Sequence, residues 1–313
     1  MIIYEYTNKM YIARQDLRQI RRIIVADYRE TVDYILGIPL FAQKIGKENL
    51  SSLLCRLGNP EKAIPAVHVA GTNGKGSTCR ALAQMLTGMG YRVGLFTSPH
   101  LVSINERIQI DGENISDADF VWAFETVKEK FTQHPSFFEV MFAMAAVYFR
   151  EKKCDFVVYE TGMGGRLDAT NVLMPELSII TSVGMDHMEY LGDTIEKIAA
   201  EKAGIIKPGI PIIYFKRDEA VAKVIEDTAR GQKSPVIPVE KQDYIINHLG
   251  DKTIDFSLHS RYYSYCNLVI QKTSLYQLEN ISLAVMAFYG LMKARNASEE
   301  DIEKGIRETL PAV

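Results

Sequence analysis

Residues 70–78 read Ala-Gly-Thr-Asn-Gly-Lys-Gly-Ser-Thr, directly after the apolar run Ala66–Ala70. This order of residue types can hold a polyphosphate. Gly71, Thr72, Asn73 and Gly74 would let backbone amides face phosphate oxygens, and a following helix would add the positive end of its dipole. Lys75 would reach the outer phosphates, and Ser77 or Thr78 could reach a magnesium ion. Gly76 is inserted between the lysine and the hydroxyl relative to the common phosphate-loop pattern. The bland alternative is a glycine-rich turn with a solvated lysine, which a strand before and a helix after argue against.

Further clusters follow apolar runs. Thr97-Ser98-Pro99-His100 follows Arg92–Phe96, and alone it reads as a polar turn. Glu160 ends an apolar run and is followed by Thr161-Gly-Met-Gly-Gly-Arg-Leu-Asp-Ala-Thr-Asn171. A carboxylate at a buried strand tip suits magnesium, which takes oxygen ligands, although a turn cap would use the same residues. Asp186-His187 follows Leu177–Ser182, and a lone histidine there carries weight only if Ser98 and Glu160 converge on it. By spacing alone, Glu201-Lys202 reads as a surface ion pair at a helix end.

The elements that must position these groups alternate. Helices are expected at about Asn49–Leu57, Ser77–Met89, Ser116–Phe131, Phe138–Lys152, Thr194–Ala203, Leu275–Ala294 and Ser298–Leu310. Strands are expected at Ala66–Ala70, Arg92–Phe96, Asp155–Glu160, Leu177–Ser182, Pro211–Phe215 and Val236–Pro238, with Asp111-Gly112 turning a hairpin. This alternation predicts an α/β fold of P-loop type, a mostly parallel sheet with helices on both faces. Residues 243–273 change to a tyrosine-rich alternation, which predicts a small antiparallel element. In such sheets ligands bind outside the carboxyl ends of the strands, where these clusters fall.

Composition excludes several classes. With 313 residues, 47% hydrophobic and 24% charged, the chain is of globular make-up. A net charge of −3 without an arginine-rich block gives no electrostatic case for nucleic acid. No apolar run reaches the roughly 20 residues of a membrane helix, and the start lacks the layout of a signal peptide. Cys55, Cys79, Cys154 and Cys266 form no CxxC pair, which fits a reducing cytoplasm better than a disulfide framework. Residues 1–27 are read as an N-terminal extension, and 28–313 as one phosphate-binding unit.

In combination, these blocks resemble the folylpolyglutamate synthase and dihydrofolate synthase enzymes of the Mur ligase superfamily. The matching stretches are His68–Thr78, Gly94–His100, Asn105–Ile108, Phe138-Glu139, Glu160–Asn171 and Glu201–Ile205, within a resemblance from about Tyr28 to Val313. The inserted Gly76 is itself a feature of that family. The resemblance implies an ATP-dependent ligase that adds L-glutamate to the carboxylate of a folate or dihydropteroate through an acyl phosphate. It implies that Gly71–Thr78 holds the ATP phosphates. Ser98, Glu160 and His187 would be ligands of one magnesium, and Lys202, as a carbamate, would partner a second. Lys75, His187 and Lys202 would then be the catalytic groups.

The resemblance further implies that Ser136, Phe138, Arg166, Asp168 and Ala169 contact the pterin-bearing substrate. Gln277 and Asn280 fall where the family meets the adenine, with Tyr276 in place of the family's histidine. Family members continue into a Rossmann-like domain, so residues 1–313 are expected to be the ATP-binding domain without it. A monomer with small-molecule substrates is expected, with no nucleic-acid or membrane partner. Two alternatives stay open: a Mur-type cell-wall amino-acid ligase, and a non-catalytic nucleotide-binding module. The Gly164–Asp168 stretch favours the folate branch over the first.

Overall fold

A computed structural model describes residues 27–39, 48–133, 135–186, 188–260, 264–271 and 274–310. The larger sheet has the strand order β4-β3-β2-β5-β1-β6-β7-β8. Its strands are β1 (Ala66–Ala70), β2 (Val93–Phe96), β3 (Ile108–Ile110), β4 (Glu113–Asn114), β5 (Phe156–Glu160), β6 (Leu177–Ile180), β7 (Ile212–Lys216) and β8 (Val236–Glu240). From β2 to β8 every neighbouring pair is parallel. The β2–β3 and β3–β4 pairs are antiparallel, so a hairpin closes one edge. β1 and β5 are buried along their whole length, which suits their largely apolar sequences.

Helices cover both faces, as the alternation predicts. On one face, α3 (Lys75–Gly88), α9 (Gln277–Ala294) and α10 (Glu299–Thr309) pack Leu82, Met85, Phe288 and Ile306 onto Val67, Val69 and Val158. On the other, α4 (Asp117–Lys128) and α5 (Phe137–Glu151) pack Phe124, Phe142 and Phe149 onto Phe96, Val157 and Tyr159. Residues 27–36 are helical (α1), and with α2 (Glu48–Arg56) they add Ile35, Leu50 and Leu54 to this layer. Near β6 and β7, α7 (Ile195–Ala203) and α8 (Glu219–Gly231) bury Ala199, Ala203 and Ile225 around Tyr214. The short α6 (Met188–Leu191) precedes α7.

The tyrosine-rich segment forms a separate antiparallel sheet in the order β11-β10-β9, from β9 (Tyr244–Leu249), β10 (Thr253–His259) and β11 (Ser264–Gln271). Its inward residues Phe256, Leu258 and Leu268 join the core that holds α9 and α10.

Observed boundaries move by up to three residues. Thr194 and Ser298 lie just outside their helices, because their hydroxyls accept the Lys197 and Asp301 amides as N-caps. α3 begins at Lys75 rather than Ser77, so Lys75 and Gly76 lie in its first turn. α4 ends at Lys128, short of the expected Phe131.

Candidate functional site

Four loops leave the carboxyl ends of β1, β2, β5 and β6, which are neighbours in the order β2-β5-β1-β6. The chain visits β2, returns between β2 and β1 to lay down β5, then adds β6 on the far side of β1. In open α/β sheets ligands bind at such a reversal of direction, and Gly71–Thr78, Ser98 and Glu160 lie at these strand ends.

The loop after β1 is laced to the segment after β6. The Thr72 amide donates to the Ser182 carbonyl at 2.7 Å, and the Thr181 hydroxyl donates to the Asn73 carbonyl at 2.7 Å. Thr72 Oγ1 and Gly184 exchange two further bonds, at 3.2 and 3.1 Å. A Cβ on Gly71 would overlap the Thr181 hydroxyl, so the approach requires glycine. Gly74, the N-cap of α3, has φ 85°, and a Cβ there would overlap the Asn280 side chain. Lys75 folds its ammonium back over the loop, 3.1 Å from the Gly71 carbonyl and 3.3 Å from that of Thr72.

The start of α9 supports this loop from behind. Gln277 Nε2 donates to Ser77 Oγ at 3.3 Å, and Asn280 Nδ2 donates to Gln277 Oε1 at 2.7 Å. The buried Thr78 hydroxyl points at the Asn280 carbonyl, 3.4 Å away. Gln277 and Asn280 thus brace the loop itself, a role that spacing alone does not reveal.

Glu160 lies at the tip of β5, 3% exposed, where its Oε2 accepts the Ser98 amide at 3.0 Å. Burial raises its carboxyl to about 7, against the opposing pull of Lys75, the Ser98 amide, Arg80 and Arg107. Gly76 presents only hydrogens to this carboxylate: a Cβ there would lie 3.5 Å from Oε2. The inserted glycine therefore keeps open the space between the anion cradle and the buried acid. Ser98 meets Glu160 through its backbone amide, and a buried carboxylate is a hard oxygen donor of the kind magnesium takes. His187 lies outside the described residues.

Arg107 borders the same region, a contribution not singled out from the sequence. Its Nε donates to His100 Nδ1 at 2.8 Å, and its guanidinium stacks over Phe137 at 5.1 Å. Burial lowers the His100 imidazole below its usual value, and the neighbouring Arg107 lowers it further. The His100 ring therefore serves as a neutral acceptor.

Lys202 corrects the surface ion-pair reading. It is 2% exposed, on the inward face of α7, and burial lowers its ammonium to about 8, with Lys75 adding to the effect and Asp186 opposing it. The ion pair at this helix end belongs to Glu201, which accepts Arg166 Nη2 at 2.6 Å and Nε at 3.0 Å. The Arg166 amide also donates to the Glu201 carbonyl at 2.7 Å, and Asn171 Nδ2 bridges the carbonyls of Arg166 and Gly204, 3.0 Å from each. The glycine loop after β5 is therefore docked onto the end of the helix that carries Lys202.

The same loop carries Asp168, buried, and Ala169, which opens a short 3-10 turn. Phe138 faces it: a Cβ on Gly162 would lie 2.8 Å from the ring. Ser136 caps α5 reciprocally with Glu139, whose Oε2 takes the Ser136 amide at 2.7 Å and hydroxyl at 2.9 Å.

The arrangement offers a helix N-terminus and Lys75 for an anion, a buried acid for a cation, and a buried amine lowered to about 8. No helix among the described residues is long and apolar enough to cross a membrane.

Comparison with known proteins places this geometry. The family model described as Mur ligase middle domain matches residues 69–288. The dihydrofolate synthase/folylpolyglutamate synthase of Bacillus subtilis is 40% identical over 293 residues, covering 89% of this chain and 67% of that enzyme. The folylpolyglutamate synthase of Lacticaseibacillus casei is 44% identical over 195 residues, which are 60% of this chain and 46% of that one. Among solved structures, an FPGS-AMPPCP-folate complex superposes with a TM-score of 0.84 at 33% identity, covering 90% of this chain and 72% of the other. The folylpolyglutamate synthase of Thermotoga maritima gives 0.79 at 36% identity, covering 90% and 66%.

Proposed function

The chain belongs to the Mur ligase family, in its folylpolyglutamate and dihydrofolate synthase branch, and from that membership we propose that it supplies the ATP-binding part of a ligase joining L-glutamate to a folate or dihydropteroate carboxylate. The observation that carries this reading is the meeting of Gly71–Thr78, Glu160 and Lys202 around the β1 and β5 ends, with the Gly162–Asp168 loop docked beside them.

A carboxylate acylates poorly because its leaving group would be oxide. Transfer of the γ-phosphoryl group of ATP to a carboxylate oxygen makes an acyl phosphate and ADP. The glutamate amine then attacks the acyl carbon, the C–O bond to phosphate breaks, and an amide forms. Before the first step a carboxylate and a triphosphate, both anionic, must meet, so positive potential has to be in place already. The start of α3 and Lys75 supply it from this chain, since the Thr72 and Asn73 amides are taken by Ser182.

Ser98, Glu160 and His187 would hold magnesium, which offsets the negative charge of the γ-phosphate when bound. Its binding would discharge the proton that burial keeps on Glu160 near neutral pH. Lys202 suits carbamate formation: an amine lowered to about 8 is partly neutral at physiological pH, and only the neutral amine attacks carbon dioxide. The resulting anion would be the partner of a second magnesium. Phe138, Arg166, Asp168 and Ala169, with Ser136 at the base of α5, would flank the pterin-bearing substrate, and Asn280 would border the nucleotide.

Calorimetry with a non-hydrolysable ATP analogue plus magnesium, and separately with dihydropteroate, tests this assignment. Binding of both is expected. Binding of the nucleotide alone would convert the reading to a nucleotide-dependent module, and binding of neither would sink it.

A further inference from the structure

His68 stands at the centre of β1, flanked by Val67 and Val69, paired with Tyr159 and Ser178 on the neighbouring strands, and 0% exposed. A polar ring in the middle of a buried parallel strand requires a partner. It has one: Nε2 lies 2.7 Å from Thr170 Oγ1. Thr170 in turn places its hydroxyl 2.5 Å from Asp168 Oδ1. Asp168 Oδ1 also takes the Thr170 amide at 3.0 Å, and Oδ2 takes the Met163 amide at 2.9 Å.

The proton positions in this chain can be worked out. Burial raises the Asp168 carboxyl, but the Thr170 hydroxyl and the Thr170 and Met163 amides converge on its two oxygens, which identifies it as an acceptor on both. The single Thr170 hydroxyl proton therefore points at Asp168, leaving the Thr170 oxygen to accept from His68. Nε2 must then carry the ring proton, and Nδ1 is bare. Nδ1 is the ring atom with no hydrogen-bond partner among the described residues, and a bare nitrogen there costs less than a buried orphan N–H. Burial, with Lys207 adding to it, lowers the imidazole to about 3, so the ring stays neutral.

The relay runs from the sheet centre to the glycine loop. Asp168 pins Met163 at one end of the loop and Thr170 just past the other, and Arg166 between them reaches Glu201. We propose that His68 is a positioning residue, which fixes the Asp168 carboxylate through Thr170 and so sets the shape of the 162–168 loop that receives the pterin-bearing substrate. The identity of that substrate rests on the proposed function, whereas the positioning of the loop does not.

Three variants of the full chain test it: His68→Leu, His68→Gln and Thr170→Val. The Gln amide nitrogen can occupy the place of Nε2 and donate, whereas Leu cannot. His68→Leu is expected to speed hydrogen exchange at the Met163 and Thr170 amides. It should also weaken dihydropteroate binding by about tenfold, the size expected when a buried acceptor loses its donor, and leave ATP-analogue affinity within about twofold. Thr170→Val should reproduce this split with the histidine intact, and it serves should His68→Leu not fold. His68→Gln should restore both readouts. Nitrogen NMR of the wild-type ring should show the proton on Nε2.

A proton on Nδ1, unchanged loop exchange in both disruptive variants, equal losses for both ligands, or a Gln variant as impaired as Leu would each overturn the proposal. If the wild type binds no dihydropteroate, the substrate reading fails, while exchange and tautomer still decide the role of His68.

Discussion

Arg166 on the glycine loop and Glu201 on α7 are joined at 2.6 Å, one residue before the buried Lys202. The Arg166 side chain is 57% exposed, so the pair is worth less than about 1 kcal/mol to stability. Its geometric consequence is larger, because it ties the loop beside Asp168 to the helix end that aims Lys202. Arg166→Ala and Glu201→Ala should each shift the urea midpoint only slightly yet weaken dihydropteroate binding several-fold. A double-mutant cycle by calorimetry should show the two losses overlapping rather than adding.

Glu160 gives a pH signature. Its carboxyl is raised from 4.5 to about 7, so the folded state holds a proton that the unfolded state has already released. This contribution favours the fold fully below about pH 4.5 and is lost as pH rises through about 7. In metal-free buffer, Glu160→Gln should therefore stabilise the protein by up to ~3 kcal/mol at pH 8 and hardly at all at pH 4. Thermal melts at the two pH values check this. A variant equally stabilised at both would mean that the carboxylate is not paying a burial cost. Magnesium affinity of the wild type should rise with pH through the same window.

Lys202 has the opposite sign. Its ammonium is lowered from 10.5 to about 8, so the stability it contributes is present at high pH and lost as pH falls through about 8. Incubation with carbon-13 bicarbonate at pH 8 should give one carbamate resonance that disappears in Lys202→Ala. It should be much weaker at pH 6, where the amine is protonated. Persistence of the signal in Lys202→Ala would assign the adduct elsewhere.

Gly74 tests the brace behind the anion cradle. Alanine at φ 85° is strained by about 1 kcal/mol or more, and its methyl would overlap Asn280. Gly74→Ala should lower nucleotide affinity at least tenfold. Adding Asn280→Ala should recover part of the loss, since it removes the overlap but not the backbone strain. Equal affinity in the single and double variants would show that Asn280 does not limit the loop.

Much of the framework is legible in the sequence because each buried parallel strand is a short apolar run ending in a polar or glycine-rich turn. Ala66–Ala70 and Phe156–Glu160 announce both the strand and the site at its tip. The start of α3 is less legible, since glycine at 76 resembles loop, while the helix in fact includes it and uses its missing side chain to leave room beside Glu160. The long-range pairs are not legible at all. Asn280 behind Gly74, Glu201 on Arg166 and Thr170 on His68 join segments distant in the chain, and no local pattern encodes which polar groups will meet. Only His68 left a trace, as a polar residue within an apolar strand.

The position of β1 between β5 and β6 has a consequence for synthesis. The strand is translated by Ala70, but its two neighbours begin only at Phe156 and Leu177, and the brace on its loop waits for Gln277 and Asn280. While the ribosome works through that interval, this buried strand of the sheet has neither edge paired. A nascent chain stalled there would present an open edge to other chains. The phosphate cradle, first among the functional parts in the sequence, is thus among the last to be completed.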